Sequence, residues 1–411
     1  MKEDFYTGLD IGSHSIKVVV AQEVGETLQI IGCAEVPSAG VSRGSIVSIE
    51  DAVSSLSAAL EVVERMTGRP ITRAAVGISG THISTQESRG VIAVSRADGE
   101  VKDDDVDRVI EAAQAVATPP NHDILHVIPI QFTVDNQTAI KDPIGMSGVR
   151  LEVIIQMVQA LTGEVKNFTK TVYRTGLEID DLVLGVLACS ESTLTKRQKE
   201  LGVALVNIGA TTTSVAVFEE GDMLHASVIP IGSAHITSDL AIGLRTSIET
   251  AERVKLGVGQ VRASKINKRD VVDLSKFSAD ESASVSLLEI HKIIEARLEE
   301  IYDHVNQKLS LVGRAGRLPA GVVLTGGGSK LPGIVEQAKD NFRLPASLGL
   351  PINIASSIEK AQDIAFTTAS GLVLWDIQWR AGNSRLKSMT SPKELINMLG
   401  SLGNKFKNLI R

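Results

Sequence analysis

Two glycine turns, centred on Gly12 and Gly209, carry the residue pattern best suited to binding phosphate. Each turn follows an apolar run, precedes small hydroxyl residues and leads into an alternating Val-rich run, within segments 7–20 and 206–217. This pattern predicts a β-hairpin, and successive backbone N–H groups in such a turn can bind an anion. A glycine turn can also simply join two strands. The repetition of the whole pattern favours two phosphate-binding hairpins in two homologous domains.

A third glycine-rich segment lies in the last part of the chain. Residues 322–333 read VVLTGGGSKLPG, which predicts a buried strand, a glycine turn and a helix that begins near Ile334. A flat base such as adenine could lie against backbone that carries no side chains. Two phosphate hairpins followed by a base-binding turn predict an actin-like α/β fold. In that fold two duplicated RNase H-like domains face each other across a nucleotide cleft.

Composition limits the classes of protein to consider. The chain has 411 residues, 43% of them hydrophobic, and a formal net charge of −7. It is therefore expected to be globular, with about two or three domains, and not a general nucleic-acid binder. Cys33 and Cys189 show no metal-ligand spacing, which favours a reducing cytosol. No apolar run approaches the roughly 18 residues of a membrane span, so membrane contact is expected to be peripheral.

The order of the predicted elements divides the chain into two main domains with insertions. The order of predicted strands and helices changes after residue 78, where a β-α-β-β block predicts a small inserted subdomain. Small polar residues after residue 379 indicate a linker. The predicted units are a first domain over 1–78 and 162–189, the inserted subdomain over 79–161, a second domain over 190–379 with its own insertion over about 232–319, a linker over 380–391 and an amphipathic helix over 392–411.

Local signals place several helix ends and one strand. Ser48 is expected to cap the helix that follows it, and Ser233 is expected to cap another. Residues 181–188 are predicted as a strand. The acidic cluster at 103–107 is expected at a helix N-terminus, where the helix dipole favours negative charge, and not as a metal site.

Several motifs lie along the chain: VGISGTH at 76–82, DDV at 104–106, DPIGMSGVRLE at 142–152, IPIGSAHIT at 229–237 and AERVK at 251–255. Through these motifs the sequence resembles the FtsA family of actin-like bacterial division proteins over essentially its full length. This resemblance implies a protein that binds ATP, polymerises, carries a family-specific inserted subdomain and binds the FtsZ filament through its second domain. It also implies attachment to the membrane through a C-terminal amphipathic helix.

The resemblance also implies a set of nucleotide-binding residues. Asp10 lies where the family motif places the carboxylate that orients water around Mg²⁺. Ser13 and Lys17 would reach the phosphates, and Glu252 and Lys255 would meet the ribose and adenine, although a surface ion pair at i,i+3 is the alternative. The residues implied in ATP binding are Gly12, Ser13, Lys17, Asn207, Gly209, Ala210, Thr211, Gly232, Glu252, Lys255, Gly326, Gly327, Gly328 and Ser329.

The second hairpin departs from the family pattern. Asn207 and Ala210 stand where the family usually has Asp and Gly, and Ser214 where it often has Asp. Loss of a carboxylate removes an acceptor for Mg²⁺-bound or attacking water, while Asn can still hydrogen-bond. ATP binding is therefore expected to survive better than hydrolysis, and ATPase activity to be weak or absent. Glu191, predicted at the start of a helix, is a candidate for positioning the attacking water or, equally, a helix-capping carboxylate.

The segment 392–411 has the pattern of a helix that lies on a membrane surface. Apolar residues recur at three- and four-residue steps, and basic residues fall largely between them. A terminal helix packed on the protein's own core is the alternative. The residues expected at an anionic membrane surface are Leu395, Met398, Leu399, Leu402, Lys405, Phe406, Lys407, Leu409, Ile410 and Arg411.

These features favour a structural adaptor. Such a protein would bind ATP and Mg²⁺, polymerise, tie the FtsZ ring to the cytoplasmic face of the membrane at the division site and help assemble other division proteins. The main alternative is an actin-like platform of pilus assembly that binds a membrane-protein peptide. A sugar or acetate kinase would need a second substrate pocket with an Asp base, and a chaperone-type ATPase a following β-rich domain. The sequence contains no convincing signal for either.

Overall fold

The computed structural model describes residues 5–25, 27–94, 99–117, 119–261, 267, 269–279 and 281–389, with the backbone alone at 116, 117, 379 and 381–389. Within these ranges the chain forms one six-stranded, one four-stranded and one five-stranded sheet, together with two small two-stranded pairs. The predicted membrane helix over 392–411 lies outside the described residues.

The first part of the chain contributes the six-stranded sheet and the four-stranded sheet. Its elements are β1 (Phe5–Ile11), β2 (Ser15–Val24), β3 (Thr27–Pro37), β4 (Val41–Ser42), β5 (Ser45–Ile46), α1 (Ile49–Thr67), β6 (Arg73–Ile78), β7 (Ile83–Ala93), α2 (Asp103–Ala117), β8 (His122–Val134), β9 (Gln137–Ile140), β10 (Arg150–Leu161), α3 (Thr162–Tyr173), β11 (Glu178–Leu184) and α4 (Gly185–Thr193).

The remainder contributes the five-stranded sheet and then returns to the first one. Its elements are α5 (Lys196–Leu201), β12 (Val203–Ile208), β13 (Thr213–Glu219), β14 (Asp222–Ile229), α6 (Ser233–Leu244), α7 (Ile248–Val258), β15 (Val271–Asp273), β16 (Ser284–Ser286), α8 (Leu287–Leu311), β17 (Val322–Thr325), α9 (Ile334–Phe342), β18 (Ala346–Leu348), β19 (Ala355–Ser356) and α10 (Thr367–Met389).

The six-stranded sheet has the order β11-β6-β1-β2-β3-β19 and is covered on both faces. Along β2, Val18 and Val20 pack into the cluster that contains α1, while Val19 and Ala21 pack into the cluster that contains α10. Strands that are buried on both faces read as continuous apolar runs, which explains the unbroken valines of this hairpin.

The five-stranded sheet, of order β14-β13-β12-β17-β18, repeats this arrangement. In the first sheet β1 pairs antiparallel with β2 and parallel with β6; in the second, β12 pairs antiparallel with β13 and parallel with β17. Asp10 and Asn207 occupy equivalent positions, opposite Lys17 and Ser214 respectively. The duplication predicted from the two glycine turns is therefore present in the backbone.

The inserted subdomain folds on its own sheet, of order β7-β10-β8-β9, with α2 packed on one face. As predicted, the acidic residues at 103–105 occupy the first turn of α2. Asp105 is buried, accepts from the Lys102 backbone N–H at 3.2 Å and pairs with Arg108 at 2.9 Å. This carboxylate therefore caps the helix.

The chain re-enters the first domain before its predicted boundary. β19 pairs with β3, and α10 covers the first sheet so closely that a Cβ on Gly8 would lie 2.1 Å from the Ala369 carbonyl oxygen. The prediction that the second domain runs to residue 379 is therefore wrong from about Ala355 onwards. The predicted linker is also wrong over 380–389, because α10 continues to Met389. Ala, Arg, Leu, Lys and Met in this stretch are good helix formers, and an anchored helix already precedes them.

Two further local predictions are wrong, and one is confirmed. Ser48 caps α1, as predicted. Ser233 is the first residue of α6, and Gly232 is its N-cap, with the Gly232 N–H donating to His235 Nδ1 at 3.1 Å. The strand predicted over 181–188 ends at Leu184, where α4 begins. A short apolar run does not distinguish strand from buried helix by periodicity alone.

Candidate nucleotide-binding site

A cavity of about 640 Å³ lies where the two hairpin turns face each other. Pockets for small ligands commonly have volumes of about 300–1,000 Å³. Both hairpins, α7 and the glycine segment after β17 contribute to the lining. The predicted residues that line the cavity are Asp10, Gly12, Ser13, Lys17, Asn207, Gly209, Ala210, Thr211, Glu252, Lys255, Gly326, Gly327 and Gly328.

The two turns have the same tight geometry. The Gly12 N–H donates to the Ser15 carbonyl at 3.2 Å, and the Gly209 N–H donates to the Thr212 carbonyl at 2.9 Å. A Cβ would lie 2.8 Å from the Ser15 oxygen at Gly12 and 3.0 Å from the Thr212 oxygen at Gly209. Each turn closes on itself too tightly for a side chain, so backbone surrounds the cavity at both points.

The first hairpin brings charged side chains to the cavity. Lys17 Nζ donates to Ser15 Oγ at 2.6 Å and lies 3.6 Å from Glu35 Oε1. Burial raises the pKa of Asp10 above its ordinary value, and Lys17 opposes that effect. Burial alone would also raise the pKa of Glu35, but Lys17, the Ser15 hydroxyl and Lys360 together hold it below its usual range. A cation bound beside Asp10 would offset the cost of burying its charge.

The second hairpin brings neutral polar groups. Asn207 Nδ2 donates to Thr368 Oγ1 at 3.1 Å, which links this hairpin to the first turn of α10. A Cβ on Gly326 would lie 2.2 Å from Asn207 Oδ1, so the amide is confined from the other side. Thr211 Oγ1 is buried and has no hydrogen-bond partner among the described residues. A buried hydroxyl on a cavity wall that makes no hydrogen bond within the protein is well suited to bond a ligand oxygen.

The end of the cavity beside α7 has a partly buried ion pair and bare backbone. Lys255 is 7% exposed and lies 2.7 Å from Glu252 Oε2 and 2.8 Å from Thr237 Oγ1. The alternative of a simple surface pair is therefore wrong. Burial would raise the pKa of Glu252, but Lys255 and Thr237 hold it below its usual value. Gly327 lines the cavity, and a Cβ there would meet no atom within 4 Å. These features fit a nucleoside triphosphate.

Three predicted residues do not line the cavity. Gly232 lies behind the second turn, where a Cβ would be 2.6 Å from the carbonyl oxygens of Gly209 and Ala210. Ser329 is buried and donates to the Thr325 carbonyl at 2.6 Å. Glu191 lies near the end of α4, not at a helix start, and pairs with Lys199 at 2.7 Å. The early start of α4 moves Glu191 away from the position that the sequence suggested.

Several lining residues were not predicted. Most of them lie on elements separate from the glycine motifs, whereas Lys330 lies within the glycine segment 322–333. They include Glu35, Gly44, Ser79, Lys330 and Thr368. Cys33 and Cys189 are free and buried. Within the part of the chain that the structure describes, no group of three or more His, Cys, Asp or Glu side chains could hold a metal ion, and no helix has the length and apolar character needed to cross a membrane.

Family models match two parts of the chain. The model described as "SHS2 domain inserted in FTSA" matches residues 80–159, and the model "Cell division protein FtsA" matches residues 204–371. The cell division protein FtsA of Bacillus subtilis is 38% identical over 384 residues, which cover 93% of this chain and 85% of that protein. The chain belongs to the FtsA family of cell division proteins. The FtsA of Pseudomonas aeruginosa is 36% identical over 372 residues, covering 90% of this chain and 89% of that protein.

Solved structures with low identity confirm the actin-like fold. The PilM-PilN type IV pilus biogenesis complex gives a TM-score of 0.68 at 16% identity, covering 90% of this chain and 98% of that one. MreB 5 of Spiroplasma citri bound to AMPPNP gives a TM-score of 0.56 at 13% identity, and the match covers 94% of this chain and 99% of that one. The predicted α/β class, with duplicated domains and an inserted subdomain, is therefore correct for this FtsA-family chain.

Proposed function

We propose that this FtsA-family chain binds ATP between its two hairpins and uses it to control assembly at the membrane. The observation that carries the proposal is the cavity between two equivalent glycine turns. The phosphates would lie between Gly12 and Ser13 on one side and Gly209 and Thr211 on the other. The ribose would meet Glu252, and the adenine would lie against the glycine backbone at 326–328.

A magnesium ion would accompany the phosphates. Asp10 is the carboxylate placed to hold it, through water, and Mg²⁺ usually keeps several waters when it binds nucleotides. The ion would neutralise phosphate charge and offset the burial of Asp10. Lys17 already lies between Ser15 and Glu35, so its ammonium would add positive charge without new conformational ordering.

Hydrolysis would be slow. Asn207 stands opposite Asp10 across the duplication, and its amide is engaged with Thr368. An amide cannot accept a proton from water as a carboxylate can. The bound nucleotide would therefore act as a switch with a long lifetime.

The proposed role of the nucleotide-bound chain is to hold FtsZ filaments at the cytoplasmic face of the membrane. Family membership supports this role, and so does the amphipathic pattern of 392–411, the segment that follows α10. One such helix binds weakly, so a polymer would attach through many helices at once. Other division proteins would then assemble on this layer.

Self-association would proceed head to tail, with the inserted subdomain over 79–161 forming part of the contact. A heterologous contact that does not close produces filaments. Deletion of 79–161 should change or abolish the subunit spacing seen by electron microscopy; filaments of unchanged spacing would contradict the proposal. The pilus-platform alternative has only a fold likeness to support it, whereas relatives in sequence favour the division role.

Co-sedimentation tests the adaptor role. The full chain with Mg·ATP should sediment with FtsZ polymers and with anionic liposomes, and should recruit the polymers to the liposomes. Removal of 392–411, or Leu402→Asp, should abolish liposome binding and leave FtsZ binding intact. Asn404→Asp adds the same charge at a polar position and should reduce liposome binding much less. Undiminished liposome binding by the truncated chain would overturn the anchor.

A further inference from the structure

The turn between β4 and β5 lies beside the first phosphate hairpin. Val41 pairs with Ile46 and Ser42 with Ser45, which leaves Arg43 and Gly44 as a two-residue turn. Both have positive φ, 51° at Arg43 and 81° at Gly44. This is the backbone of a type I′ hairpin, in which the first position usually holds Asn, Asp or Gly. An arginine there adopts an unfavourable backbone conformation, and such strain is common at functional sites.

Contacts fix this turn in place. The Gly44 N–H donates to Ser13 Oγ at 3.4 Å. A Cβ on Gly44 would lie 1.8 Å from the Ser79 carbonyl oxygen, and a Cβ on Gly80 would lie 3.3 Å from the Arg43 carbonyl oxygen. Ser13, Gly44 and Ser79 all line the cavity. The turn is therefore packed between the phosphate hairpin and the root of the inserted subdomain.

Arg43 differs from the cations that line the cavity. Lys17, Lys255 and Lys330 each lie within 4.0 Å of a carboxylate: Glu35 at 3.6 Å, Glu252 at 2.7 Å and Asp363 at 2.6 Å. The Arg43 side chain is exposed, and across the described ranges its guanidinium has no ion-pair or hydrogen-bond partner. A strained position thus holds an uncompensated charge next to a cavity proposed to bind phosphate.

We propose that Arg43 binds the terminal phosphate of ATP and makes the site distinguish ATP from ADP. This inference rests on the proposed nucleotide site. The elements assigned to the ribose and the base, Glu252 and the glycine backbone at 326–328, belong to the second domain. The Arg43-Gly44 turn meets the cavity at Ser13 and Ser79, on the first domain. The phosphate farthest from the base would then be the one nearest the Arg43-Gly44 turn. Arg43 is exposed and does not itself line the cavity, so its side chain would turn inward from the neighbouring Gly44 to meet that phosphate. A guanidinium binds phosphate with two charge-assisted hydrogen bonds.

Titration calorimetry of the full chain with Mg·ATP and with Mg·ADP tests this assignment. Arg43→Asn removes the charge and keeps a residue that tolerates positive φ. Arg343→Asn is the matched control, because Arg343 is also exposed and has φ of 52°, but its chain neighbours do not line the cavity, whereas Gly44 beside Arg43 does. Arg43→Asn should weaken ATP about tenfold, the loss of one charge-assisted contact, and leave ADP within about twofold. Arg43→Lys should keep part of the preference, and Arg343→Asn should change neither affinity.

The outcomes separate the two levels of the proposal. Equal losses of ATP and ADP affinity on Arg43→Asn would show that Arg43 only shapes the turn, and unchanged ATP affinity would exclude a contact; either result overturns the assignment. Failure of the wild-type chain to bind either nucleotide would instead overturn the proposed nucleotide site. Thermal melting of Arg43→Asn and Arg343→Asn should match or exceed that of the wild type, because Asn tolerates positive φ better than Arg. A clearly lower melting temperature would show that the turn no longer folds.

Discussion

The β1–β2 and β12–β13 hairpins have the same backbone geometry but bring different charges to the cavity. The first carries Asp10 opposite Lys17, and the second carries Asn207 opposite Ser214 at the equivalent positions. Strand pairing and turn closure are the same in both, so charge is not needed to form the hairpin. The charged pair of the first hairpin is therefore available for the ligand.

The second hairpin is held in a different way. Backbone N–H groups at the start of α6 donate to its turn, from Ser233 to the Gly209 carbonyl at 2.9 Å and from Ala234 to the Ala210 carbonyl at 2.8 Å. Asn207 links the strand to α10, which covers the first sheet. The two hairpins therefore differ in what they contact. In the proposed site, the first hairpin would bind the metal and the phosphate charge, while the second hairpin connects the two domains.

The largest expected effect comes from removing the carboxylate of the first hairpin. Asp10→Asn should lower Mg·ATP affinity on the order of 100-fold, equivalent to about 2.7 kcal/mol, and should remove the dependence of binding on Mg²⁺. Because burial raises the pKa of Asp10, a neutral amide there should not destabilise the ligand-free chain. Asn207→Ala is the control for the second hairpin and should keep the Mg²⁺ dependence. Equal losses of Mg·ATP affinity and of Mg²⁺ dependence in Asp10→Asn and Asn207→Ala would show that the two hairpins contribute equally to metal binding.

A smaller effect is expected from adding a carboxylate to the second hairpin. The wild-type turnover number should lie well below about 1 per second, the low end of common enzymes. Asn207→Asp should raise it about tenfold or more, since a positioned base commonly contributes at least about 10²-fold. The Thr368 hydroxyl can rotate to donate to the introduced carboxylate, so the link to α10 can persist. A steady-state phosphate-release assay, with Asn207→Ala as the control, measures this. An unchanged rate would contradict the role given to position 207.

The smallest effect concerns the ion pair behind the first hairpin. Glu35→Gln should lower the free energy of unfolding by about 1 kcal/mol at pH 7. The folded-state pKa of Glu35 is depressed, so its stabilisation is present above the unfolded-state pKa and disappears as pH falls through the folded-state value. Urea denaturation should therefore show that the difference shrinks below about pH 4. Ser214→Ala, on the second hairpin, should change the free energy of unfolding by an amount that does not vary with pH. A pH-independent effect of Glu35→Gln would exclude the ion pair as its cause.

The sequence predicted the parts of the fold that depend on local repeated patterns. The two glycine turns, the duplicated strand order and the cap at Ser48 follow from spacing and residue type within short windows. Lining residues such as Gly44 and Thr368 could not be found in this way, because tertiary packing brings them to the cavity from separate elements.

The wrong predictions have physical causes that cannot be read from a short segment of sequence. Apolar residues after Leu184 suit a strand as well as the buried helix α4, and this ambiguity misplaced Glu191. The small polar composition after residue 379 resembles a linker, yet α10 continues because its preceding turns are anchored on the first sheet at Gly8 and on α4 at Gly371. Tertiary contacts decided both cases.

Binding of Mg·ATP to a variant with a filled cavity tests the central claim most directly. Gly327 lines the cavity beside the proposed adenine position, is exposed, and would carry a Cβ with no atom within 4 Å, so Gly327→Leu adds a bulky side chain to that wall without a clash in the ligand-free fold. Titration calorimetry should give one ATP site per wild-type chain and no measurable binding for Gly327→Leu, with unchanged thermal stability. Equal affinity of the two proteins for ATP would show that the adenine does not lie against Gly327 and would contradict the proposed placement of the nucleotide in this cavity.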